Sequence, residues 1–451
     1  MILGAGMTGL GCSLASGWPV YEAAEAPGGI CSSYYLSPGG EFRTADETLS
    51  AEKALPAGKR LTHAPTGEEA YRFEIGGGHW VFGEDPAVFE LIRSLVPVRS
   101  YARRAGIFFR EQALFVPFPL QNHLARLGGD LASKALEEIT SAPGDSPTPT
   151  LSGWLEQRFG RTLCELFFAP FHERYTAGLW ERIAPQDAYK SPLDLALVKK
   201  GAEEETPPVG YNVRFLYPQG GLDHLSRVMA KPGGIHLSKE AVEVDLEGKE
   251  VLFSDGSGVR FERLISTLPL CRLVALTGLI LDQEPDPYTS VLVLNLGAKP
   301  GPRCPGDHWL YIPDSRSGFF RVGFYSNVDP SFLPASYRED RSRVSLYVER
   351  AFPGGHKPDA LEVQAYTQSV VRELTEWGFI GEVDVLDPTW IEVAYTWARP
   401  GSSWREAALA RLAEHGISSI GRYGRWVFQG IADSIGEGLS AGSALKVMGR
   451  G

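Results

Sequence analysis

Three glycines at the amino-terminal end of the chain are spaced for binding phosphate. Gly4, Gly6 and Gly9 directly follow the apolar residues 1–3 and precede small apolar residues at helical spacing. In a strand–turn–helix unit with this pattern, the first glycine permits the tight turn and the second lets a pyrophosphate approach the backbone. The third lets the helix, whose amino-terminal N–H groups bind phosphate, pack close to the sheet. The residues predicted to bind a cofactor at this turn are Gly4, Gly6, Met7, Thr8 and Gly9.

Glu22 ends the next short apolar strand, 18–22, where an acid accepts hydrogen bonds from the ribose hydroxyls of an adenine dinucleotide. Its negative charge disfavours a 2′-phosphate at that position. A glycine turn alone is weak evidence, and the alternative interpretation is a purely structural βαβ turn. The order of strand, glycine turn, helix, strand and acid favours the dinucleotide site.

Further glycine-rich segments indicate a cofactor larger than NAD. A glycine pair at 28–29 comes shortly after Glu22, and glycines at 76–78 lead into His79. Near the carboxyl end, a short strand enters the turn 421–424, and the helix beyond it offers an amino terminus to the pyrimidine edge of a flavin. FAD is therefore the predicted cofactor. Its predicted contacts beyond the first turn are Glu22, Gly28, Gly29, Gly77, Gly78, His79, Val242, Gly421, Arg422, Asp433 and Ser434.

The elements that would position these residues predict an α/β fold. Strands are predicted at 242–246, 251–253, 263–267, 291–296, 309–312 and 319–324, and helices at 151–168, 336–352 and 360–377. Residues 86–136 show helical periodicity interrupted by proline. The segments 44–71, 141–150 and 201–210 are polar or proline-rich, and we interpret them as a surface excursion, a loop and a crossover between domains.

Composition restricts the class of partner. Among 451 residues, 55 are acidic and 44 basic, and the net charge of −11 disfavours nucleic acid, whose backbone requires a basic surface. No apolar run approaches the roughly 20 residues of a membrane helix, and no leader-like segment opens the chain. The five cysteines are scattered and never form C-x-x-C, so a disulfide framework or a metal site is not expected and a cytoplasmic location fits.

Taken in order along nearly the whole chain, these motifs resemble the FAD-binding clan of amine oxidases and, within it, the UDP-galactopyranose mutases. The clan-level motifs are the first glycines, S-T-L-P-L at 266–270 and G-R-Y-G at 421–424. The block H-W-L-Y-I-P at 308–313, with F-R-V at 320–322 and F-Y-S-N at 324–327, is similar to the mutases rather than to the oxidases. The resemblance implies a Rossmann-type FAD domain of discontinuous segments (1–85, 209–278 and 401–451), a mainly helical insertion (86–208) and a mixed-sheet substrate domain (279–400).

The resemblance also implies an activity. In the mutases, the N5 atom of a reduced flavin attacks the anomeric carbon of a nucleotide sugar, and the sugar ring contracts with no net oxidation. NADPH or NADH is the implied reductant, a nucleotide sugar or related small molecule is the implied partner, and a homodimer is compatible with it. The alternative is an FAD-dependent oxidoreductase of the amine oxidase or protoporphyrinogen oxidase type.

Site roles beyond FAD binding come from the same resemblance. Arg321 and Arg182 match arginines that meet the diphosphate, and His79 matches a histidine beside the flavin; these three are the implied catalytic residues. The implied substrate contacts are Trp309, Tyr311, Arg321, Asn327 and Arg399. From the residues alone the alternatives stay open. The two aromatic residues alternate on a strand, which suits a core; Arg321 suits a strand edge, Arg182 a solvated surface, and His79 a structural role.

Two departures from the mutases concern the diphosphate. The mutases carry a Tyr-Pro pair after a strand resembling 391–395, where this chain has Arg399 and Pro400, and they carry a tyrosine where this chain has Phe428. Losing one hydroxyl costs on the order of 1 kcal/mol when a buried phosphate oxygen is left unpaired. Either Arg399 compensates by a charge-assisted contact, or the ligand is another nucleotide sugar or not a diphosphate.

Overall fold

The computed structural model describes residues 1–38, 60–83, 85–142, 147–186, 193–204, 206 and 213–448. The strands are β1 (Ile2–Leu3), β2 (Val20–Tyr21), β3 (Ser33–Leu36), β4 (Tyr71–Glu74), β5 (Val98–Ala102), β6 (Ala105–Phe109), β7 (Leu114–Pro117), β8 (Arg214–Pro218), β9 (Ile235–His236), β10 (Ala241–Asp245), β11 (Glu250–Phe253), β12 (Gly258–Arg260), β13 (Leu264–Ser266), β14 (Tyr288–Pro300), β15 (Trp309–Tyr311), β16 (Arg321–Phe324), β17 (Val344–Pro353), β18 (Ile380–Thr396) and β19 (Ile417–Ser419).

The helices are α1 (Met7–Ser16), α2 (Pro86–Leu95), α3 (Gly129–Thr140), α4 (Leu151–Leu163), α5 (Ala169–Tyr175), α6 (Leu195–Glu203), α7 (Leu222–Ala230), α8 (Leu270–Thr277), α9 (Tyr325–Val328), α10 (Ala360–Glu376), α11 (Trp404–Glu414), α12 (Gly421–Gly424) and α13 (Ile431–Met448). One π-helical turn, Cys164–Phe168, joins α4 to α5. None of the helices within the described ranges is both long and apolar enough to cross a membrane.

A parallel sheet holds the first glycine turn. Its strand order is β19-β13-β1-β2-β9, and all of its neighbours run parallel. The turn between β1 and α1 therefore lies at the carboxyl edge of the sheet, where open α/β sheets bind ligands. The predicted α/β class and the predicted order of strand, turn, helix and strand are confirmed here.

Glycines bring α1 and α13 into close contact. A Cβ atom on Gly438 would overlap the carbonyl oxygen of Thr8, and one on Gly11 would lie 2.8 Å from that of Ile435. Since larger side chains would separate the two backbones, the small residues of the predicted carboxyl-terminal helix set this packing distance. The contact fixes α13 behind the glycine turn.

A seven-stranded sheet forms the second layer. Its order is β18-β14-β17-β16-β15-β6-β7; β15 and β6 run parallel and the other neighbouring pairs antiparallel. Residues of β14 alternate between two apolar clusters, as expected for a buried strand. Leu294 packs with Val370 and Leu374 of α10, whereas Val293 belongs to the cluster shared with the parallel sheet. One face of this sheet thus packs toward the parallel sheet, and α10 covers the other face.

Two predictions of secondary structure are wrong. The segment 336–352, predicted as a helix, contains a short 3₁₀ turn and then β17, which pairs with β14 and β16, so packing within the sheet determines its structure. The segment 86–136 contains α2 but also β5, β6 and β7, and the last two join the large sheet. Most of the predicted excursion 44–71, and parts of the segments 141–150 and 201–210, fall outside the described residues.

Candidate functional site

A cavity of about 1400 Å³ extends from the first glycine turn to the seven-stranded sheet. Ligand pockets commonly measure about 300–1,000 Å³, so this one has room for a dinucleotide together with a second molecule. Its walls come from the β1–α1 turn, segments near 28–31 and 78–83, the turn before α13, the strands β15 to β18 and the helices around α5. Most of the predicted FAD contacts and the predicted Trp309, Tyr311 and Arg321 share this cavity.

The three glycines of the first turn have different steric reasons to be glycine. Gly4 has φ +92°, and a Cβ there would overlap Oγ1 of Thr267. A Cβ on Gly9 would overlap the carbonyl oxygen of Gly4, so this residue lets helix and strand pack closely but does not itself line the cavity. A Cβ on Gly6 would meet nothing within 4 Å. Because Gly6, Met7 and Thr8 all line the cavity, the space over Gly6 is open for a pyrophosphate at the helix amino terminus.

Two backbone N–H groups, one of them in the first turn, hold the carboxylate of Glu22. Its Oε2 accepts a hydrogen bond from the backbone N–H of Ala5 at 2.6 Å, and its Oε1 accepts one from Ala24 at 2.9 Å. Because a carboxylate has about four lone-pair sites, Glu22 retains acceptor capacity toward the cavity that it lines. Val242 does not share this position: its residue surface is 50% exposed, and the neighbouring Ala241 lines the cavity instead.

The glycine pair at 28–29 is hydrogen-bonded directly to the first turn. The N–H of Gly28 donates to the carbonyl oxygen of Ala5 at 2.8 Å, and Gly28 forms a parallel bridge with Gly6. Both glycines of the pair have positive φ, +114° for Gly28 and +58° for Gly29, and both line the cavity. The segment therefore lies against the first turn, and both of its glycines border the cavity.

His79 lies on the cavity wall as a neutral imidazole. Its Nδ1 is 3.3 Å from the carbonyl oxygen of Gly77. Burial, together with the positive charges of Arg422 and Arg321, lowers the pKa of His79 to about 4. At neutral pH the ring can donate through one nitrogen and accept through the other. Gly78 lines the cavity beside it, whereas Gly77 serves the turn through its φ of +78° and does not line the cavity.

The carboxyl-terminal motif closes the same wall. Gly421 has φ +81°, and a Cβ there would lie 2.5 Å from Oγ1 of Thr8. Arg422 donates to the carbonyl oxygens of Gln429 at 2.9 Å and Ala394 at 3.2 Å, and its guanidinium carbon lies 4.3 Å from the centre of the Phe428 ring. The residues at the start of α13 that line the cavity are Ile431, Asp433 and Ser434.

The side of the cavity facing the large sheet carries Arg321. Across the antiparallel pair β15–β16, Tyr311 lies opposite Arg321 and Trp309 opposite Gly323. The Arg321 side chain, 19% exposed, pairs with Glu349, whose carboxylate accepts from Nε and Nη2 at 2.6 Å each. Burial raises the pKa of the Glu349 carboxyl, and the guanidinium opposes that shift.

The predicted catalytic residue Arg182 and the predicted substrate contacts Asn327 and Arg399 lie away from the cavity. Arg182 is exposed on a turn. Asn327 donates to the carbonyl oxygens of Pro305 and Asp307, so its amide fixes a loop. Arg399 is exposed and turns to the carbonyl oxygen of Pro285 and, at 3.6–3.9 Å, to two acids; this position offers no replacement for the expected tyrosine. None of the three residues, all within the described part of the chain, lines the cavity.

Aromatic residues of the cavity are the main group that the sequence did not single out. Tyr175, at the end of α5, lies 4.7 Å from the ring of Tyr395 and 5.3 Å from that of Phe320. Tyr311 lies 4.8 Å from Phe118 and 5.4 Å from Phe171. Phe167 and Phe168, at the end of the predicted helix 151–168, also line the cavity, and nothing in their helical spacing distinguishes them from core residues.

The residues present therefore fit a flavin dinucleotide: an open space over Gly6, a helix amino terminus, an acid for ribose and glycine-rich walls. Residues 58–401 match the family described as flavin-containing amine oxidoreductases. Curated protein sequences provide no match.

Several solved structures have similar folds. A reduced UDP-galactopyranose mutase superposes with a TM-score of 0.78 at 21% identity, over 100% of this chain and 93% of that one. A protein assigned as a protoporphyrinogen oxidase from Exiguobacterium sp. 255-15 gives 0.66 at 14% identity, over 99% and 98%. A putrescine oxidase bound to putrescine gives 0.53 at 15% identity, again over 99% and 98%. At these identities the likeness shows the fold, while the family match covers most of the chain. The chain belongs to the flavin-containing amine oxidoreductases.

Proposed function

We propose that this protein is an FAD-dependent sugar-nucleotide mutase similar to UDP-galactopyranose mutase. The observation that carries the proposal is the position of Arg321, on the wall of the same cavity that receives the glycine turn and His79. A guanidinium there meets the diphosphate leaving group of a nucleotide sugar through charge-assisted hydrogen bonds. The similarity in fold to a reduced UDP-galactopyranose mutase supports the same conclusion.

In this proposal the cofactor is held mainly by backbone. Gly6, Met7 and Thr8 bind the pyrophosphate, Glu22 binds the adenosine ribose, and His79 with the start of α13 lies beside the ring. The reduced flavin supplies a nucleophilic nitrogen for the anomeric carbon, and NADPH or NADH reduces it beforehand. The FAD-binding segments are 1–85, 209–278 and 401–451, with 86–208 as the insertion and 279–400 as the substrate domain.

The substrate side of the site binds by stacking and by directed hydrogen bonds. Tyr311 and Trp309 offer aromatic surface to the nucleotide, and Arg321 holds the phosphates. His79, neutral at physiological pH, exchanges hydrogen bonds with the cofactor or the sugar without adding charge. We propose no substrate contact for Arg182, Asn327 or Arg399, because their side chains lie off the cavity wall.

A specific observation favours a second candidate, an oxidoreductase acting on an apolar or amine substrate. The chamber beside Arg321 is lined by many aromatic rings, and the position of the second expected tyrosine is taken by Phe428. Such a wall favours an apolar molecule by burial of its surface. In that case oxygen or another acceptor reoxidises the flavin in every turnover.

One experiment separates the two candidates. The purified protein is reduced with dithionite or NADPH under nitrogen and given UDP-galactopyranose or UDP-glucose, and the products are separated by chromatography. Ring-contracted product formed only after reduction supports the mutase. Steady oxygen consumption with amine or apolar substrates, and no change in any nucleotide sugar, would replace it by the oxidoreductase. Arg321→Ala tests whether the arginine is needed for the conversion. Arg399→Ala is its matched control, because the ion pairs of Arg399 lie away from the cavity.

A further inference from the structure

The Arg321–Glu349 pair is a built part of the cavity wall. The two residues lie directly opposite each other on β16 and β17, and Glu349 is only 1% exposed. Arg321 lines the cavity, whereas Glu349 does not. Nε donates to Oε2 and Nη2 to Oε1 at 2.6 Å each, and Nη2 also lies 2.5 Å from Oε2, so the carboxylate holds the guanidinium by its side edge.

This geometry determines which N–H groups of Arg321 remain available to a ligand. A guanidinium has five N–H groups, and Glu349 takes one on Nε and one on Nη2. The side edge of Arg321 is therefore occupied. What is left is the end edge, formed by Nη1 and the second hydrogen of Nη2, and this edge can receive two oxygens of an anion at once.

The same strand also supports the loop that carries His79. A Cβ on Gly77 would lie 2.6 Å from Oε1 of Glu349, and one on Gly78 would overlap the hydroxyl of Tyr347. Consequently Glu349 on β17 lies next to both the guanidinium of Arg321 and the glycine loop. A change at Glu349 acts on both.

We propose that Glu349 is a positioning residue, which directs the end edge of Arg321 toward the phosphates of the substrate and compensates its charge. This inference rests on the proposed function for the identity of the anion. Its consequence is that the site binds the leaving group through oriented donors and not through a net positive charge. Orientation matters because a misplacement of about 1 Å can cost roughly 100-fold in rate.

Two variants separate charge from geometry. Glu349→Gln keeps the shape and removes the charge, while Glu349→Asp keeps the charge and shortens the reach. Glu392→Gln is the matched control, since Glu392 is an exposed carboxylate on the same cavity. The measurements are the UDP dissociation constant at several salt concentrations, kcat and KM for the nucleotide sugar, and the midpoint potential of the bound flavin.

For Glu349→Gln we expect kcat to fall about 10- to 100-fold. The UDP dissociation constant should change less than about threefold at low salt, because an uncompensated guanidinium attracts the anion, and should depend more steeply on salt. The flavin potential should become more positive, since adding electrons is easier once a nearby negative charge is gone. Glu349→Asp should keep the wild-type potential and still lose turnover.

If Glu349→Gln matches Glu392→Gln in potential and in salt dependence, Glu349 has no positioning role and the inference is overturned. The inference is also overturned if the weaker UDP binding of Glu349→Gln is fully explained by a smaller fraction of folded protein. Failure of the proposed function looks different: the wild-type protein then binds no UDP and converts no nucleotide sugar. The potentials of the variants still decide the role of Glu349 in that case.

Discussion

Replacing Arg321 tests both the buried ion pair and the anion site. Arg321→Ala leaves Glu349, with its side chain 2% exposed, without its partner. Removing one member of a buried pair costs about 3–5 kcal/mol of folding free energy, because an uncompensated charge stays buried. The double variant Arg321→Leu with Glu349→Leu should recover most of that loss, since apolar residues of similar volume often replace a buried pair without cost. Both variants should lose roughly 30- to 1,000-fold in UDP affinity, equivalent to about 2–4 kcal/mol.

Stability is measured by urea unfolding at equal flavin saturation, because a bound cofactor adds to the apparent stability. UDP affinity is measured by calorimetry on the folded holoenzyme. Arg411→Ala is the control: this arginine pairs with Glu414 on an exposed helix face, at 50% and 56% exposure, and should cost less than about 1 kcal/mol. The reasoning is refuted if Arg321→Ala is no less stable than Arg411→Ala, or if the double variant binds UDP as the wild-type protein does.

Two further predictions concern the cofactor turn and the buried histidines. The folding free energies of Gly6→Ala and Gly234→Ala should agree within about 1 kcal/mol, since a Cβ at either position meets nothing within 4 Å. Only Gly6→Ala should lose flavin on purification, which the ratio of flavin to protein absorbance measures. The stability that the neutral rings of His79 and His308 contribute should be fully present above pH 6.5 and be lost between pH 6.5 and 4, because burial lowers the pKa of both to about 4 while the unfolded chain takes up protons below pH 6.5. The loss approaches about 3 kcal/mol for each histidine, so urea unfolding of His308→Gln should show a shallower pH dependence, and an unchanged slope would contradict this.

The parts of the site that could be predicted are those encoded locally. The first turn needs only a strand, three glycines with distinct steric reasons and a helix, and all of these lie within 16 residues. The strands predicted at 309–312 and 319–324 are also close in the chain, and they carry Tyr311 and Arg321. In both cases the neighbours that determine the structure are also neighbours in sequence.

The parts that could not be predicted depend on distant contacts. The segment that holds Glu349 is predicted as a helix, yet it pairs as a strand with β14 and β16. The sequence therefore did not indicate that Glu349 is the partner of Arg321. Arg182 and Arg399 carry the right chemistry, but local hydrogen bonds and acids hold them at the surface. Local hydrogen bonds and ion pairs thus compete with the cavity for a polar side chain. The spacing of residues along the chain does not show which of these contacts forms.

The charge balance of the cavity bears on its selectivity. The cation most directly placed for a phosphate, Arg321, is already compensated by Glu349, so Coulomb attraction alone gives little discrimination between anions. Affinity must then come from the rings of Tyr311, Phe171 and Tyr175, which favour a flat aromatic group, together with the directed donors of Arg321. A nucleotide supplies both features, whereas inorganic pyrophosphate supplies only the second. UDP should therefore bind much more tightly than pyrophosphate, and equal affinities would mean that the aromatic wall serves a different ligand.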